Sequence, residues 1–178
     1  GAGGAAMGYA RAGFTDIVGV DIAPQKHYPF TFVQADAMTF PLDGFDAIHA
    51  SPPCQAYTRL RGLPWLRDRE YWDSIPPTRA MLQAQPLPWV MENVEDAPMP
   101  DSVLLCGVMF GLRLFRHRRF ESSSFLLGPR HAKHTFTITP GSASLGQRHG
   151  GLNAWNGVGG HQGGVARHRT NMGIDWMT

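Results

Sequence analysis

The sequence predicts an α/β fold, a mostly parallel sheet with helices on both faces. Three observations carry that expectation. Short apolar runs alternate with helical or turn-rich segments through the first two-thirds of the chain, as in successive βαβ units. Several of those runs end on an acid or a tight polar turn, where the C-terminal edge of a sheet ordinarily holds its chemistry. The 178 residues suffice to bury one substantial core, so one active site is expected.

In chain order, Gly1-Ala2-Gly3-Gly4 precedes a helix predicted over 5–12, and Gly13 is a suitable stop for it. Asp16 to Asp21 reads as a buried strand ending on an acid. Thr31 to Gln34 forms a second such unit before Ala35-Asp36, and Phe45 to Ala50 a third before Ser51-Pro52-Pro53-Cys54-Gln55. Residues 59–79, rich in Arg, Trp and Pro, fit a mobile loop leading into a helix over 77–85. Trp89 to Val94, Val103 to Cys106 and Phe120 to Leu127 are further strands, with the Arg113 to Arg119 run between the last two. Gly141 to Gly164 has neither helix nor strand period and reads as an irregular excursion.

Composition narrows the class. A hydrophobic content of 43% with 17% charged residues is that of an ordinary globular chain, and no run of about 18 apolar residues is present to span a membrane. The N-terminus lacks the basic and apolar parts of a signal peptide, and a first strand is expected to precede its glycines. Two cysteines, Cys54 and Cys106, are too few for a disulfide framework and form no CxxC pair, so reduced thiols and a cytoplasmic location are expected. The net charge of +2 conceals an asymmetry: residues 1–112 hold seven Lys/Arg against twelve Asp/Glu, whereas 113–169 hold nine against one. A polyanion such as nucleic acid explains the basic part.

Each candidate site residue has a chemical reason. A glycine turn before a helix, with Asp21 ending the next strand, suits a nucleoside: glycines admit its backbone approach and the acid receives ribose hydroxyls. Asp36 is placed to accept from an adenine amino group. The full GxGxxG is lacking, which argues against a dehydrogenase. Two prolines stiffen the turn that carries Cys54, as a nucleophile requires. Cys106, inside Val103-Leu104-Leu105-Cys106, reads instead as a small buried hydrophobe. Glu92 puts a carboxyl group at the end of an apolar run, where it either caps a turn or serves the site. His131 and His134 suggest a metal, but no further ligands have suitable spacing along the chain, so none is expected.

These motifs, in this order, resemble those of the DNA cytosine C5 methyltransferase family, over roughly residues 1–125. The opening glycines Gly1, Ala2 and Gly3 are similar to its cofactor loop, Asp21 with Ile22 to its ribose-binding acid, and Asp36 with Ala37 to its adenine-side acid. Pro52-Pro53-Cys54-Gln55 is similar to its nucleophile loop, Glu92-Asn93-Val94 to its Glu-Asn-Val motif, and Arg116-His117-Arg118 to its paired arginines. The compactness resembles phage-borne members. The resemblance implies a Rossmann-like S-adenosylmethionine-dependent methyltransferase fold and that cofactor, with Pro52 also on its side of the pocket. It implies Cys54 as covalent nucleophile at carbon 6 of cytosine, Glu92 as acid at ring N3 supported by Asn93, and Arg118 at the base carbonyl. Ser51, Gln55, Arg116, Arg119, Arg167 and Arg169 are the expected nucleic-acid contacts, and DNA is the expected partner, with the target base flipped out or single-stranded.

Residues 1–128 are expected to form the catalytic domain, 129–169 a small basic recognition-like segment, and 170–178 the start of a return to the catalytic domain. The sequence departs from the family pattern where Leu114 replaces a glutamine before the arginines, and where no closing motif precedes Thr178. The same chemistry on RNA or a free cytidine nucleotide, or a vestigial nucleic-acid-binding module, are the alternatives.

Overall fold

A computed structural model of the chain describes residues 3–58, 61, 63–66, 68–112, 114–131, 133, 134, 156 and 157. The chain divides into two compact units, Gly1–Asp43 with Gly163–Thr178, and Gly44–Gln162. The expected recognition segment over 129–169 and the return over 170–178 fall largely outside the described residues.

In the first unit, helix α1 (Gly4–Arg11) starts from Gly3, whose φ of 80° lies in the left-handed region. A Cβ there would stand 2.6 Å from Cδ of Pro29, so both conformation and space call for glycine. Strands β1 (Val18–Asp21) and β2 (Thr31–Gln34) pair in parallel, from Val18 opposite Thr31 to Asp21 opposite Gln34. The Ala35 amide donates to the Asp21 carbonyl at 3.1 Å and extends the pairing past the strand ends. Asp21 and Asp36 therefore end neighbouring parallel strands at one edge.

The second unit holds a four-stranded sheet in the order β3 (Ile48–Ala50), β4 (Trp89–Val94), β7 (His117–Ser122) and β5 (Val103–Cys106). Strand β3 (Ile48–Ala50) runs parallel to β4 (Trp89–Val94), and helix α2 (Ile75–Gln83) lies in the connection between them. Strand β5 (Val103–Cys106) leads through a 3-10 turn at Gly107–Phe110 and the short β6 (Leu114–Phe115) into β7 (His117–Ser122). Strand β7 is antiparallel to both β4 and β5, while β6 pairs with β8 (Asn156–Gly157). Helix α2 buries Ile75, Thr78 and Leu82, one face at helical spacing, in a core with Trp89, Met91, Ala97 and Met99. Burying residues of this size stabilises by about 1.5–3 kcal/mol each. Arg79, at the flank of that face, fastens α2 to the sheet, donating from Nε to Glu121 Oε1 at 2.7 Å and from Nη2 to Oε2 at 2.8 Å.

The fold is mixed α/β, which corrects the expectation of a mostly parallel sheet with helices on both faces. Only the β3–β4 pair of the larger sheet is parallel. Residues 107–116 cannot supply the crossover of about a dozen residues or more that parallel neighbours need, so β7 returns antiparallel between β4 and β5. The last predicted strand is also displaced. The chain pairs from His117, in the middle of the basic run, and leaves Phe125 and Leu127 exposed. Polar residues on both faces of β7 hide its alternation from a hydrophobicity pattern. Among the described residues, no helix is long and apolar enough to cross a membrane.

Candidate active site at the end of the β3–β4 pair

The loop after β3 is held through its backbone. Asn93, 2% exposed, donates from Nδ2 to the Pro52 carbonyl at 3.0 Å, and Ser74, fully buried, donates from Oγ to the Pro53 carbonyl at 2.9 Å. The two prolines fix their own φ angles, so anchoring two successive carbonyls leaves this turn little freedom. Cys54 follows directly. Its carbonyl accepts from the amides of Tyr57 and Thr58 at 3.0 Å each, which starts a helical turn and leaves the side chain half-buried. Tyr57 in turn donates to Asp73 and accepts from the Ile75 amide at 3.2 Å, tying that turn to the start of α2.

Strand register sets the carboxyl group beside this loop. Asn93 lies opposite Arg119 and Glu92 opposite Phe120, so Arg118 is the diagonal cross-strand neighbour of Glu92. Arg118 Nε donates to Glu92 Oε1 at 2.7 Å, with side-chain exposures of 23% and 20%. Burial pulls the Arg116 guanidinium below its ordinary value and the like charge of Arg118 adds to that, while Glu92 and Cys54 pull the other way. Arg116 is therefore near enough to both groups to sense them. His49, two residues before Ser51 and hydrogen-bonded to its hydroxyl at 3.1 Å, is lowered by burial against the opposing charge of Glu92.

The second unit thus brings together Cys54, Glu92, Asn93, Arg116 and Arg118, as well as Pro52 and Ser51. Gln55 is exposed beside them. Arg118, expected at a base carbonyl, is engaged with Glu92. Arg119, expected at nucleic acid, donates to the Glu95 carbonyl at 2.6 Å and the Ser102 hydroxyl at 3.2 Å, where it braces the turn after β4. The first unit places Asp21 and Asp36 as described. Asp21 accepts from the Ala23 amide at 2.9 Å and from Gln25 at 3.0 Å, and Asp36 from the Met38 amide at 2.9 Å. Ile22, 74% exposed, and the exposed Ala37 stand beside the two acids. Gly1, Ala2, Arg167 and Arg169 lie outside the described residues.

The sequence matches no protein-family model and no curated protein. Among solved structures, the fold is similar to that of a triple mutant of DNMT2 from Spodoptera frugiperda. The similarity covers 68% of this chain and 46% of that one, at 19% identity and a TM-score of 0.48. This chain spans less than half the length of that protein.

Sequence reasoning missed Ser74, which reads as an ordinary helix cap before Pro76-Pro77, and His49, hidden in an apolar run. It also set aside a metal for want of ligands near His131 and His134. In the folded unit Cys106 and His117 stand with those histidines. Antiparallel pairing puts Cys106 opposite His117, a neighbourhood that chain spacing does not reveal.

Proposed function

We propose that the chain transfers a methyl group from S-adenosylmethionine to carbon 5 of cytosine in DNA, with Cys54 as a transient covalent nucleophile. The observation that supports this most is a thiol on a doubly anchored proline turn and the Glu92–Arg118 pair, at the ends of the paired strands β3 and β4, with Arg116 in electrostatic reach of both Cys54 and Glu92. Carbon 5 of cytosine is a poor nucleophile until a group adds at carbon 6. The Cys54 thiolate makes that bond, and the electrons it pushes into the ring collect at N3, which takes a proton from Glu92 acting as a carboxylic acid. Carbon 5 then takes the methyl group. Carbon 5 next gives its proton to water, the carbon 6–sulfur bond breaks, and N3 returns its proton to Glu92, which restores the aromatic ring and the thiolate.

S-adenosylmethionine supplies the electrophilic methyl group. Gly3, Asp21, Ile22, Asp36 and Ala37 of the first unit are the residues that would hold it, by a close-approach glycine and two strand-end carboxylates. In this reading Arg118 is a positioning residue that orients Glu92, and Arg116 places a positive charge within electrostatic reach of both Glu92 and Cys54. A duplex substrate must present its cytosine extruded from the stack. DNA is the preferred acceptor because of the basic residues from Arg113 onward.

The test is trapping on 5-fluorocytosine. Fluorine cannot leave as a proton, so such DNA should remain on the protein in a cofactor-dependent complex that survives denaturation, with the adduct on Cys54. RNA carrying the same base is run in parallel. An adduct on Cys106, or none on either polymer while folded protein still methylates cytosine, overturns the mechanism; an adduct on RNA alone overturns the choice of DNA.

A further inference from the structure

Away from Cys54, the end of the β5–β7 pair gathers four groups of quite different chemistry. Cys106, 1% exposed, closes β5 opposite His117, which starts β7, and His131 and His134 come back to them from the segment after β7. His117 Nε2 stands 3.0 Å from His131 Nε2, His134 Nε2 stands 3.2 Å from that same atom, and Cys106 Sγ lies 3.6 Å from His134 Nε2. All four donor atoms fall within 4.8 Å of one another.

Hydrogen bonding does not account for this arrangement. An imidazole nitrogen holds one proton or one lone pair, so His131 Nε2 satisfies one of its two neighbours and not both. A cation at the centre satisfies every nitrogen by its lone pair. Three of the six edges, at 3.0, 3.2 and 3.6 Å, are also close to the right size. Bonds of about 2.0–2.1 Å to nitrogen and 2.3 Å to sulfur, set at tetrahedral angles, separate two nitrogens by about 3.4 Å and a nitrogen from sulfur by about 3.6 Å. Glu95 Oε2 lies 3.5 Å from Nδ1 of His117, on the far side of the ring from the cluster. A carboxylate at the other nitrogen is the usual companion of a ligating histidine, because it fixes the tautomer that leaves Nε2 as the donor.

We infer that Cys106, His117, His131 and His134 bind one zinc ion in a closed tetrahedral site, with Glu95 supporting His117. One thiolate and three neutral imidazoles suit zinc, whereas magnesium, calcium and manganese prefer oxygen donors. Four protein ligands leave no open position for water, so the site is structural. Its mechanical role follows from where the ligands sit. The ion fastens the segment of His131 and His134 to the sheet, and it fixes His117, which stands between Arg116 and Arg118.

Full-length protein produced with zinc in the medium should retain one zinc per chain after desalting. Replacing the zinc with cobalt should give the strong visible absorption of a tetrahedral ion and a sulfur-to-metal charge-transfer band. Cys106→Ser should abolish that band, while Cys54→Ser keeps it. Glu95→Gln should weaken metal affinity by roughly 10–100-fold. Should the ligand variants fail to fold, the wild-type chain carries the test: chelation should lower its thermal midpoint, and zinc but not magnesium should restore it. Wild-type protein without stoichiometric zinc, a cobalt spectrum without the thiolate band, or full zinc retention by a folded Cys106→Ser/His131→Ala variant would each overturn the site.

Discussion

The two cysteines of the larger unit are held in opposite ways. At Cys54 the backbone is fixed, by Asn93 and Ser74 on the preceding carbonyls, and the sulfur is left half-buried at the end of a parallel strand pair. At Cys106 the sulfur itself is enclosed, 1% exposed, with an imidazole nitrogen 3.6 Å away. A nucleophile needs a stationary main chain and an open side chain. A structural ligand needs its side chain fixed and shielded. The fold constrains different atoms of the two residues: the main chain before Cys54, in the loop after β3, and the side chain of Cys106, at the end of β5.

The largest expected effect separates them outright. Cys54→Ser should lower methyl transfer by on the order of 10³-fold or more with little change in thermal midpoint, as loss of a covalent nucleophile does. Cys106→Ser should do the reverse, lowering the midpoint while folded protein still forms the fluorocytosine adduct. Parallel activity and melting measurements on both variants check this, and equal activity losses would erase the distinction.

Glu121→Gln acts on both regions at once, because Arg79 joins α2, beside the Cys54 loop, to β7, which carries His117 and Arg118. Taking one partner from this largely buried pair should cost about 3 kcal/mol, read from denaturant unfolding. Asn93→Ala tests whether the Cys54 side depends on its backbone anchors. It leaves the Pro52 carbonyl unsatisfied, for about 1–3 kcal/mol of stability, and the loosened turn should lower kcat by roughly 10²-fold. Zinc content should not change.

The smallest effect is a pH dependence on the Cys54 side. Burial holds His49 below its ordinary value, so as pH falls the unfolded chain takes up this proton first. Stability contributed by neutral His49 is therefore present above the ordinary histidine range and is lost as pH drops through that range towards the depressed folded value. Unfolding midpoints of wild type and His49→Gln between about pH 5 and 7.5 should converge if the assignment holds. Equal pH slopes in both proteins would remove it.

By itself the sequence determined where several strands lie: Thr31–Gln34, Trp89–Val94 and Val103–Cys106 are found at the predicted bounds, since their β-branched and aromatic runs end on turn formers. It also singled out Cys54, Glu92 and the arginines as candidates, because proline stiffening and a carboxyl group at a strand end are local features. Tertiary structure alone decided which residues face one another. Antiparallel return of β7 set Arg118 diagonal to Glu92 and His117 opposite Cys106, and folding brought the Ser74 hydroxyl to the Pro53 carbonyl. Pairing partners are chosen by connection length and packing across the whole unit, and neither is written in the spacing of the residues that meet.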